Sequence, residues 1–297
     1  MKKRIRKFLK SLRHPFEALF ALLTYCLFYC LSPDKASAMG GRITRKLIPL
    51  SGATKTARKN LEGALPDNLY DINTQIIANV CDNFGRDMAE YSHLHRMNVY
   101  QDPRFEIHGI DIIDQMKNDG KPGIIYGAHL ANWEVAIMAL NQRGLKTTQI
   151  YRAMNNPYVD FLVKYVQRKI GTEVLTKGPG DAKKVLDVLL NGGHLYILVD
   201  QKMNKGVSVP FFGRDAMTPA AAVRLAMKFK CPLVPARVER LEGGFKFKIT
   251  FYPPQELIDT GNLSQDLYTN LCTMNQTLES WIRERPDQWL WLHKRWP

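Results

Sequence analysis

The chain has 297 residues, of which 45% are hydrophobic, so it carries enough apolar material for one large α/β domain or two small ones. The net charge of +14 is typical of nucleic-acid binders, but its distribution indicates another partner. Residues 1–60 contain 14 Lys and Arg against 2 Asp and Glu, whereas residues 61–297 contain 28 against 26. The basicity therefore belongs to the N-terminal segment, which favours a membrane surface over nucleic acid.

The first predicted element is a basic segment that runs into an apolar helix. Seven Lys and Arg occur between Lys2 and Arg13, and an apolar run extends from Phe16 to Leu31. As a helix this run is about 24 Å long, shorter than the roughly 30 Å of a bilayer core, so it would be a marginal spanning helix. We predict that residues 1–34 form a membrane anchor, spanning the bilayer or lying in one leaflet, and that residues 35–297 form the following domain.

Another interpretation of this segment remains open, and so does its orientation. The segment could be a secretory signal peptide, because Ala36-Ser37-Ala38 imitates a cleavage site after an apolar region. Asp34 instead favours a helix from Lys35 to Leu50, which it would cap, with the small residues serving helix packing. If the segment spans, its stronger positive flank is N-terminal, and the positive-inside rule would place residues 35–297 outside the cytoplasm.

Helices are predicted at 54–65 and 69–95, and strands and helices alternate after them. The predicted strands are 104–108, 123–126, 147–152, 172–175, 194–199, 233–239 and 245–252, and the predicted helices are 110–118, 132–143, 156–170, 180–191, 218–229 and 263–283. This alternation predicts a layered α/β/α domain with a mostly parallel central sheet. The strands at 233–239 and 245–252 are predicted to form an antiparallel hairpin.

Polar residues follow three of the predicted strands, and functional residues gather at the carboxyl ends of parallel strands. His129 follows strand 123–126, Arg152 ends strand 147–152, and Asp200 and Gln201 follow strand 194–199. Arg152 could bind a phosphate or carboxylate through two parallel hydrogen bonds, or be an ordinary surface residue. Asp200 either partners a basic group in the site or merely caps its strand.

His129 and Glu134 lie five residues apart, where a strand turns into a helix. Five helical positions are about 500° of rotation, so the two side chains can meet only if His129 precedes the helix. No further ligand at suitable spacing accompanies them, which disfavours a metal site, and the absence of a GxSxG-type elbow disfavours an acyl-enzyme. What remains is a His129 general base for a substrate hydroxyl, oriented by Glu134, with a structural histidine as the alternative.

Two apolar segments complete the set of candidates. Val207 to Phe212 is unusually apolar for a loop, which suits an acyl-chain wall, membrane contact or ordinary core packing. Four of the five Trp fall in the last seventeen residues, beside His293, Lys294 and Arg295. This arrangement suits a membrane interface or a C-terminal segment docked on the core. The five cysteines show neither paired nor zinc-like spacing and predict no disulfide framework.

The sequence resembles, over nearly its whole length, the bacterial lipid A biosynthesis acyltransferases of the lauroyl/myristoyl type, a branch of the glycerolipid acyltransferases. The resemblance begins with the basic N-terminal segment and continues through short motifs in a fixed order. These are Ala57-Arg58-Lys59-Asn60-Leu61, His129-Leu130-Ala131-Asn132-Trp133-Glu134 as the HxxxxD/E motif, Tyr151-Arg152 with Asn156-Pro157, Asp200-Gln201, Pro210-Phe211-Phe212-Gly213, and Trp289 to Trp296.

The resemblance implies transfer of a fatty acyl group from acyl carrier protein to a hydroxyl of a lipid A precursor of the Kdo-lipid IVA type, without a metal or cofactor. It also implies a location at the bacterial inner membrane with the catalytic domain facing the cytoplasm, against the charge count. His129 would accept the hydroxyl proton, Glu134 would orient His129, and backbone N–H groups near the helix start would stabilise the oxyanion. The residues expected to bind substrate are Asn132, Arg152, Asp200 and Gln201, with Arg152 holding an acceptor phosphate or positioning the site.

Two other functions remain open at this point. One is acyl transfer to another lysophospholipid or glycolipid, and the other is a non-catalytic, membrane-bound lipid-binding protein. A nucleic-acid binder is disfavoured, because residues 61–297 are nearly balanced in charge.

Overall fold

A computed structural model describes residues 2–176, 178–242 and 244–296 and shows a seven-stranded sheet in the order β1-β9-β8-β2-β5-β3-β4. The strands are β1 Phe105–His108, β2 Gly123–Gly127, β3 Thr147–Tyr151, β4 Glu173–Thr176, β5 His194–Leu198, β6 Val207–Phe211, β7 Arg214–Thr218, β8 Leu233–Arg240 and β9 Phe247–Phe251. Neighbouring strands run parallel except at β8–β9, which pair antiparallel. The prediction of an α/β fold with a mostly parallel sheet and one hairpin is confirmed; Gly243, which follows Glu242 in the sequence, lies outside the described residues.

The helices occur where the sequence predicts them, with ends that differ by a few residues. They are α1 Lys2–Tyr29, α2 Pro33–Leu47, α3 Ala53–Ala64, α4 Tyr70–Glu90, α5 Ile110–Asn118, α6 Glu134–Gln142, α7 Pro157–Lys169, α8 Pro179–Leu190, α9 Ala221–Phe229 and α10 Leu263–Glu284, with short 3₁₀ segments at 48–50, 94–96 and 286–288.

The strands that carry the candidate residues are neighbours, because β5 lies between β2 and β3. All five residues of β2 and all five of β5 are buried, as expected for strands covered on both faces. Along β2, Ile124 and Tyr126 pack into one core while Ile125 packs into the other, since successive side chains point to opposite faces. Parallel strands end at the same edge of the sheet, so His129, Arg152 and Asp200 are brought together there.

The segment from Val207 to Phe212 is a strand and not the apolar loop that the sequence suggested. β6 and β7 pair antiparallel as a separate two-stranded sheet. Val209 and Phe211 are fully buried, and Pro210, which has no N–H to donate, is tolerated because this small sheet consists of edge strands. The segment therefore serves core packing, and an acyl-chain wall has to be sought elsewhere.

The N-terminal helix α1 continues through Pro15 as one element, and a short break at residues 30–32 separates it from α2. Its described part packs against α7, α2 and α4. Several of its large apolar side chains remain exposed to solvent: Leu12, Phe16, Leu19, Phe20, Leu23 and Leu27. None of the helices in the described ranges combines the length and the apolar character needed to cross a bilayer.

The small residues of α2 pack tightly against α4. Ala36 and Ser37 are fully buried. Gly40 lies so close to Gly85 that a Cβ on Gly40 would be 2.3 Å from the Gly85 carbonyl oxygen. The structure thus uses these residues for helix packing, although Ser32 and not Asp34 occupies the N-cap position.

The C-terminal aromatic segment is docked on the core. Trp281, Trp289, Trp291 and Trp296 are all buried. The Trp296 indole N–H donates to the carbonyl oxygen of Phe211 at 3.1 Å. Of the two interpretations of these tryptophans, core docking is the one observed.

Candidate active site

His129 lies just beyond β2, and its ring meets a carboxylate from the end of β5. His129 Nδ1 is 2.7 Å from Asp200 Oδ1, and Asp200 Oδ2 accepts the backbone N–H of His129 at 2.9 Å and the indole N–H of Trp289 at 2.7 Å. A carboxylate that accepts from Nδ1 assigns the ring proton to that nitrogen and leaves the Nε2 lone pair free. The pair therefore has the geometry of a general base held by a carboxylate.

Asp200 is fully buried yet charged. Burial raises the pKa of its carboxyl group, but the nearby His129 and the hydrogen bonds that it donates outweigh this effect, so the pKa is held below its usual range. An ionised Asp200 both fixes the tautomer of His129 and stabilises the imidazolium that forms when Nε2 takes a proton. Asp200 thus contacts His129 directly, while its predicted part in substrate binding stays a prediction.

Glu134 makes no hydrogen bond to His129 within the described residues, so its predicted role in orienting the ring stays a prediction. It begins α6, is 2% exposed, and accepts a hydrogen bond from the Tyr91 hydroxyl on Oε1 at 2.6 Å. Burial raises the pKa of Glu134, and its Oε2 has no hydrogen-bond partner among the described residues. The carboxylate closest to His129 in the sequence is thus Glu134, but the carboxylate that contacts His129 in the structure is Asp200. Glu134 nevertheless lines the same cavity as His129.

A cavity of about 240 Å³ opens at His129. Gln201 lines it and places its amide nitrogen 3.2 Å from His129 Nε2, where it donates to the free lone pair. Arg152 also lines the cavity, is exposed, and makes no ion pair or side-chain hydrogen bond within the described part of the chain. The cavity thus combines a candidate base, an amide that a hydroxyl could replace, and a cation without a protein partner among the described residues.

Asn132, a predicted substrate-binding residue, is used elsewhere. It is buried, and its side-chain N–H donates to Glu90 Oε2 at 2.9 Å. Glu90 and Asp87 in turn hold the buried guanidinium of Arg240, each through a contact of 2.5 Å. Asn132 therefore braces the turn before α6 and does not line the cavity.

The turn between β2 and α6 is strained and largely hydrogen-bonded within the protein. Ala131 has a φ of 46°, a left-handed conformation that a side chain disfavours. The backbone N–H groups of residues 129–131 all donate to protein acceptors. Of the donors expected to stabilise an oxyanion, only those at residues 132–134 are left without a partner within the described residues.

Residues near the C-terminus complete the site. The sequence did not indicate that they lie beside His129. The backbone of Trp289 forms a bridge with Leu130, and the N–H of Leu290 donates to the carbonyl oxygen of His129 at 3.1 Å. The ring of His293 lies with its centroid 6.5 Å from that of His129, and burial lowers the pKa of His293. A ring so close to His129 therefore tends to stay neutral, which avoids a second positive charge beside the base.

A second cavity, of about 280 Å³, adjoins the first and is almost entirely apolar. It lies between α1 and α7, and the two cavities share Tyr91, Trp133, Met154 and Val163. The α1 wall consists of Phe20, Ala21, Thr24, Tyr25 and Phe28, and the α7 wall consists of Val159, Leu162, Val163 and Val166. Positions 21, 24, 25 and 28 recur at helical spacing, so periodicity within the N-terminal segment was the signal that could have revealed this wall.

Comparison with known proteins gives consistent matches. The family model "Bacterial lipid A biosynthesis acyltransferase" matches residues 5–297. A lipid A biosynthesis acyltransferase of Haemophilus influenzae is 25% identical over 199 residues, which cover 66% of this chain and 60% of that protein, less than two thirds of its length. The lipid A biosynthesis palmitoleoyltransferase of Escherichia coli is 24% identical over 97% of this chain and 94% of that protein. The phosphatidylinositol mannoside acyltransferase of Mycobacterium tuberculosis is 25% identical over 82% and 78% of the two chains.

Proposed function

The chain belongs to the bacterial lipid A biosynthesis acyltransferase family, and we propose that it moves a fatty acyl group from an acyl carrier protein thioester to a hydroxyl of a lipid A precursor. The observation that carries this proposal is that a carboxylate-held imidazole lines a cavity that adjoins an apolar one. The apolar cavity suits an acyl chain, and the imidazole suits the deprotonation of a hydroxyl.

The proposed reaction proceeds by direct transfer. His129 Nε2 takes the proton of the acceptor hydroxyl, which displaces the Gln201 amide from that nitrogen as it arrives. The hydroxyl oxygen bonds to the thioester carbonyl carbon, the carbon–sulfur bond then breaks, and the imidazolium returns its proton to the leaving thiolate. Asp200 stabilises the imidazolium between the two proton transfers. No acyl-enzyme is needed, and the described residues that line the cavity include no Ser or Cys.

Arg152 is proposed to bind a phosphate of the acceptor, because its guanidinium is exposed at the cavity without a protein partner within the described residues. Arg152→Ala should therefore raise KM for a phosphorylated acceptor by about 10-fold to 100-fold, the equivalent of one charge-assisted hydrogen-bonded contact. Arg152→Lys should recover part of this loss, since it keeps the charge but not the two-pronged geometry. Arg168→Ala, an exposed substitution on α7 outside the cavity, is the control and should leave KM unchanged. Equal KM values for wild type and Arg152→Ala would refute the assignment.

We further propose that the protein works at the cytoplasmic face of the bacterial inner membrane. The exposed apolar side chains of α1, with Phe16 74% and Phe20 73% exposed, suit contact with lipid acyl chains. The basic residues that precede them suit anionic headgroups. Binding of α1 to the membrane surface would place the cavity between α1 and α7 beside the bilayer that contains a lipid acceptor.

The decisive assay supplies the purified full chain with a panel of acyl carrier protein thioesters and two acceptors, a lipid A precursor and a mannosylated phosphatidylinositol. We expect acylation of the lipid A precursor and a preference for one acyl length. The mannolipid is included because the Mycobacterium tuberculosis relative is a phosphatidylinositol mannoside acyltransferase. Acylation of the mannolipid alone would favour a glycolipid acyltransferase, and binding of lipid without any transfer would favour a non-catalytic lipid-binding protein.

A further inference from the structure

The side chain of Asn156, at the end of the loop between β3 and α7, is used twice. Its Oδ1 accepts the backbone N–H of Tyr158 at 3.1 Å and so caps α7. Its Nδ2 donates to the carbonyl oxygen of His14 at 2.9 Å and to Oε2 of Glu17 at 3.0 Å. Capping needs the acceptor alone, so the donor forms a separate link between this loop and α1.

The link to α1 is shielded and charge-assisted. Asn156 is 7% exposed, so water competes little for its amide. Arg13, and after it Asn156, lower the pKa of Glu17, which keeps that carboxylate ionised as an acceptor. The loop that ends at Asn156 also contributes Arg152 and Met154 to the cavity beside His129. The position of α1 is thus tied to residues of the active site.

The other end of α1 is attached by different residues. His93 Nε2 lies 3.0 Å from the carbonyl oxygen of Phe28, and the guanidinium carbon of Arg96 lies 3.6 Å from the centroid of the Tyr29 ring. Residues 20–28, which form the α1 wall of the apolar cavity, lie between these contacts and Asn156. Much of the remaining surface of α1 faces solvent. Within the part of α1 that the structure describes, Asn156 therefore supplies the polar contacts that hold the N-terminal half of this wall.

We propose that Asn156 is a positioning residue that sets the spacing between α1 and α7 and thereby selects which acyl chains are transferred. This inference rests on the proposed acyl transfer. One methylene group in a fitted apolar pocket changes kcat/KM by about 10-fold to 200-fold, so a fixed wall separates donors that differ in length. If the α1 wall can shift, the cavity accommodates acyl chains of more lengths, and the enzyme no longer discriminates between donors by chain length.

Asn156→Asp tests the link while keeping the cap. The substituted residue retains an oxygen for the Tyr158 N–H, but it presents a carboxylate to Glu17 and to the His14 carbonyl oxygen, so it repels α1. We expect the ratio of kcat/KM for the preferred donor to that for a donor two carbons shorter or longer to fall by about tenfold. A merely structural defect would lower both values together and leave the ratio unchanged.

A second substitution should restore the link with reversed polarity. In Asn156→Asp combined with Glu17→Gln, the amide at position 17 can donate to the carboxylate at position 156, and we expect most of the ratio to return. Asn262→Asp is the matched control, because Asn262 caps α10 through the same kind of contact and is absent from the linings of both cavities. It should leave the ratio at the wild-type value.

A distance measurement tests the link without reference to catalysis. Spin labels at Leu22 and Phe161, which are 47% and 66% exposed, report the separation of α1 and α7 once the exposed Cys26 and Cys30 are replaced by serine. The distance distribution should be narrow in the wild type, broad in Asn156→Asp and narrow again in the double variant. An unchanged donor ratio with an unchanged distribution in Asn156→Asp overturns the proposal. If the wild type transfers no acyl group, the proposed function fails and the selectivity claim fails with it, whereas the distance result still decides whether Asn156 holds α1.

Discussion

His129→Ala should lower kcat for acyl transfer by about 10²-fold to 10⁴-fold while leaving the fold intact. The ring is the candidate base, it lines the cavity that adjoins the apolar one, and its Nε2 lone pair can accept a hydroxyl proton. The measurement is the initial rate with saturating donor and acceptor, with the thermal unfolding midpoint as the check on folding. KM for the donor should change little, because the apolar cavity that suits the acyl chain is left in place.

The control for this substitution is His108→Ala. His108 ends β1 and is exposed, far along the sheet from β2 and β5. It should keep wild-type activity. A His129→Ala protein that retains more than about a tenth of the wild-type kcat would exclude the general-base role, because such catalysis contributes at least about a hundredfold.

Asp200→Asn should be nearly as damaging, whereas Glu134→Gln should cost less than about tenfold in kcat. An amide at position 200 can donate to Nδ1, which places the ring proton on Nε2 and removes the base; in a serine protease the same exchange lowers kcat by about 10⁴. Gln at position 134 still offers an oxygen to the Tyr91 hydroxyl and does not touch His129. Saturating initial rates of the two variants, measured side by side, decide between the carboxylates.

These two variants separate the sequence-based assignment from the structural one. If Glu134→Gln loses as much activity as Asp200→Asn, Glu134 takes part in the chemistry and the expectation from the HxxxxE spacing is right after all. Raising the pH should not rescue Asp200→Asn, because the amide does not ionise. In the wild type the pKa of Asp200 is held low, so its carboxylate is already charged.

The elements of the fold were largely predictable, because their signals are local. The continuous apolar strands β2 and β5 and the helix after Asn156-Pro157 need only neighbouring residues to be recognised. The β6–β7 hairpin was missed because Pro210 disfavours a strand and because both strands are only five residues long. Its formation depends on packing beneath the C-terminal tryptophans, which is a tertiary effect.

The site was predictable as a place but not as a set of contacts. His129, Arg152 and Asp200 could be identified at the ends of three predicted strands. The strand order of the sheet does bring these residues together. The bond between His129 and Asp200, however, joins residues 71 positions apart and depends on β5 lying beside β2. Spacing along the chain favoured Glu134 only because it is close in sequence.

The apolar cavity likewise depends on contacts between residues that are distant in the sequence. The segment around Phe28 was interpreted as an anchor, because its hydrophobicity is a local property. Its place in the wall of the apolar cavity depends on α7 packing against it, and α7 lies more than a hundred residues later. Composition alone does not distinguish an apolar helix that faces lipid from one that lines an internal cavity.

The hydrogen bond from the indole of Trp289 to Asp200 has a consequence for biosynthesis. Translation proceeds from the N-terminus, so α1 leaves the ribosome long before residues 286–296 are made. The buried carboxylate that orients His129 gains its indole donor, and the loop gains its bridge at Leu130, only when this late segment docks. Under the proposed function, a nascent chain therefore exposes α1 to a lipid surface before its candidate base is organised, and the site is complete only after residues 286–296 have docked.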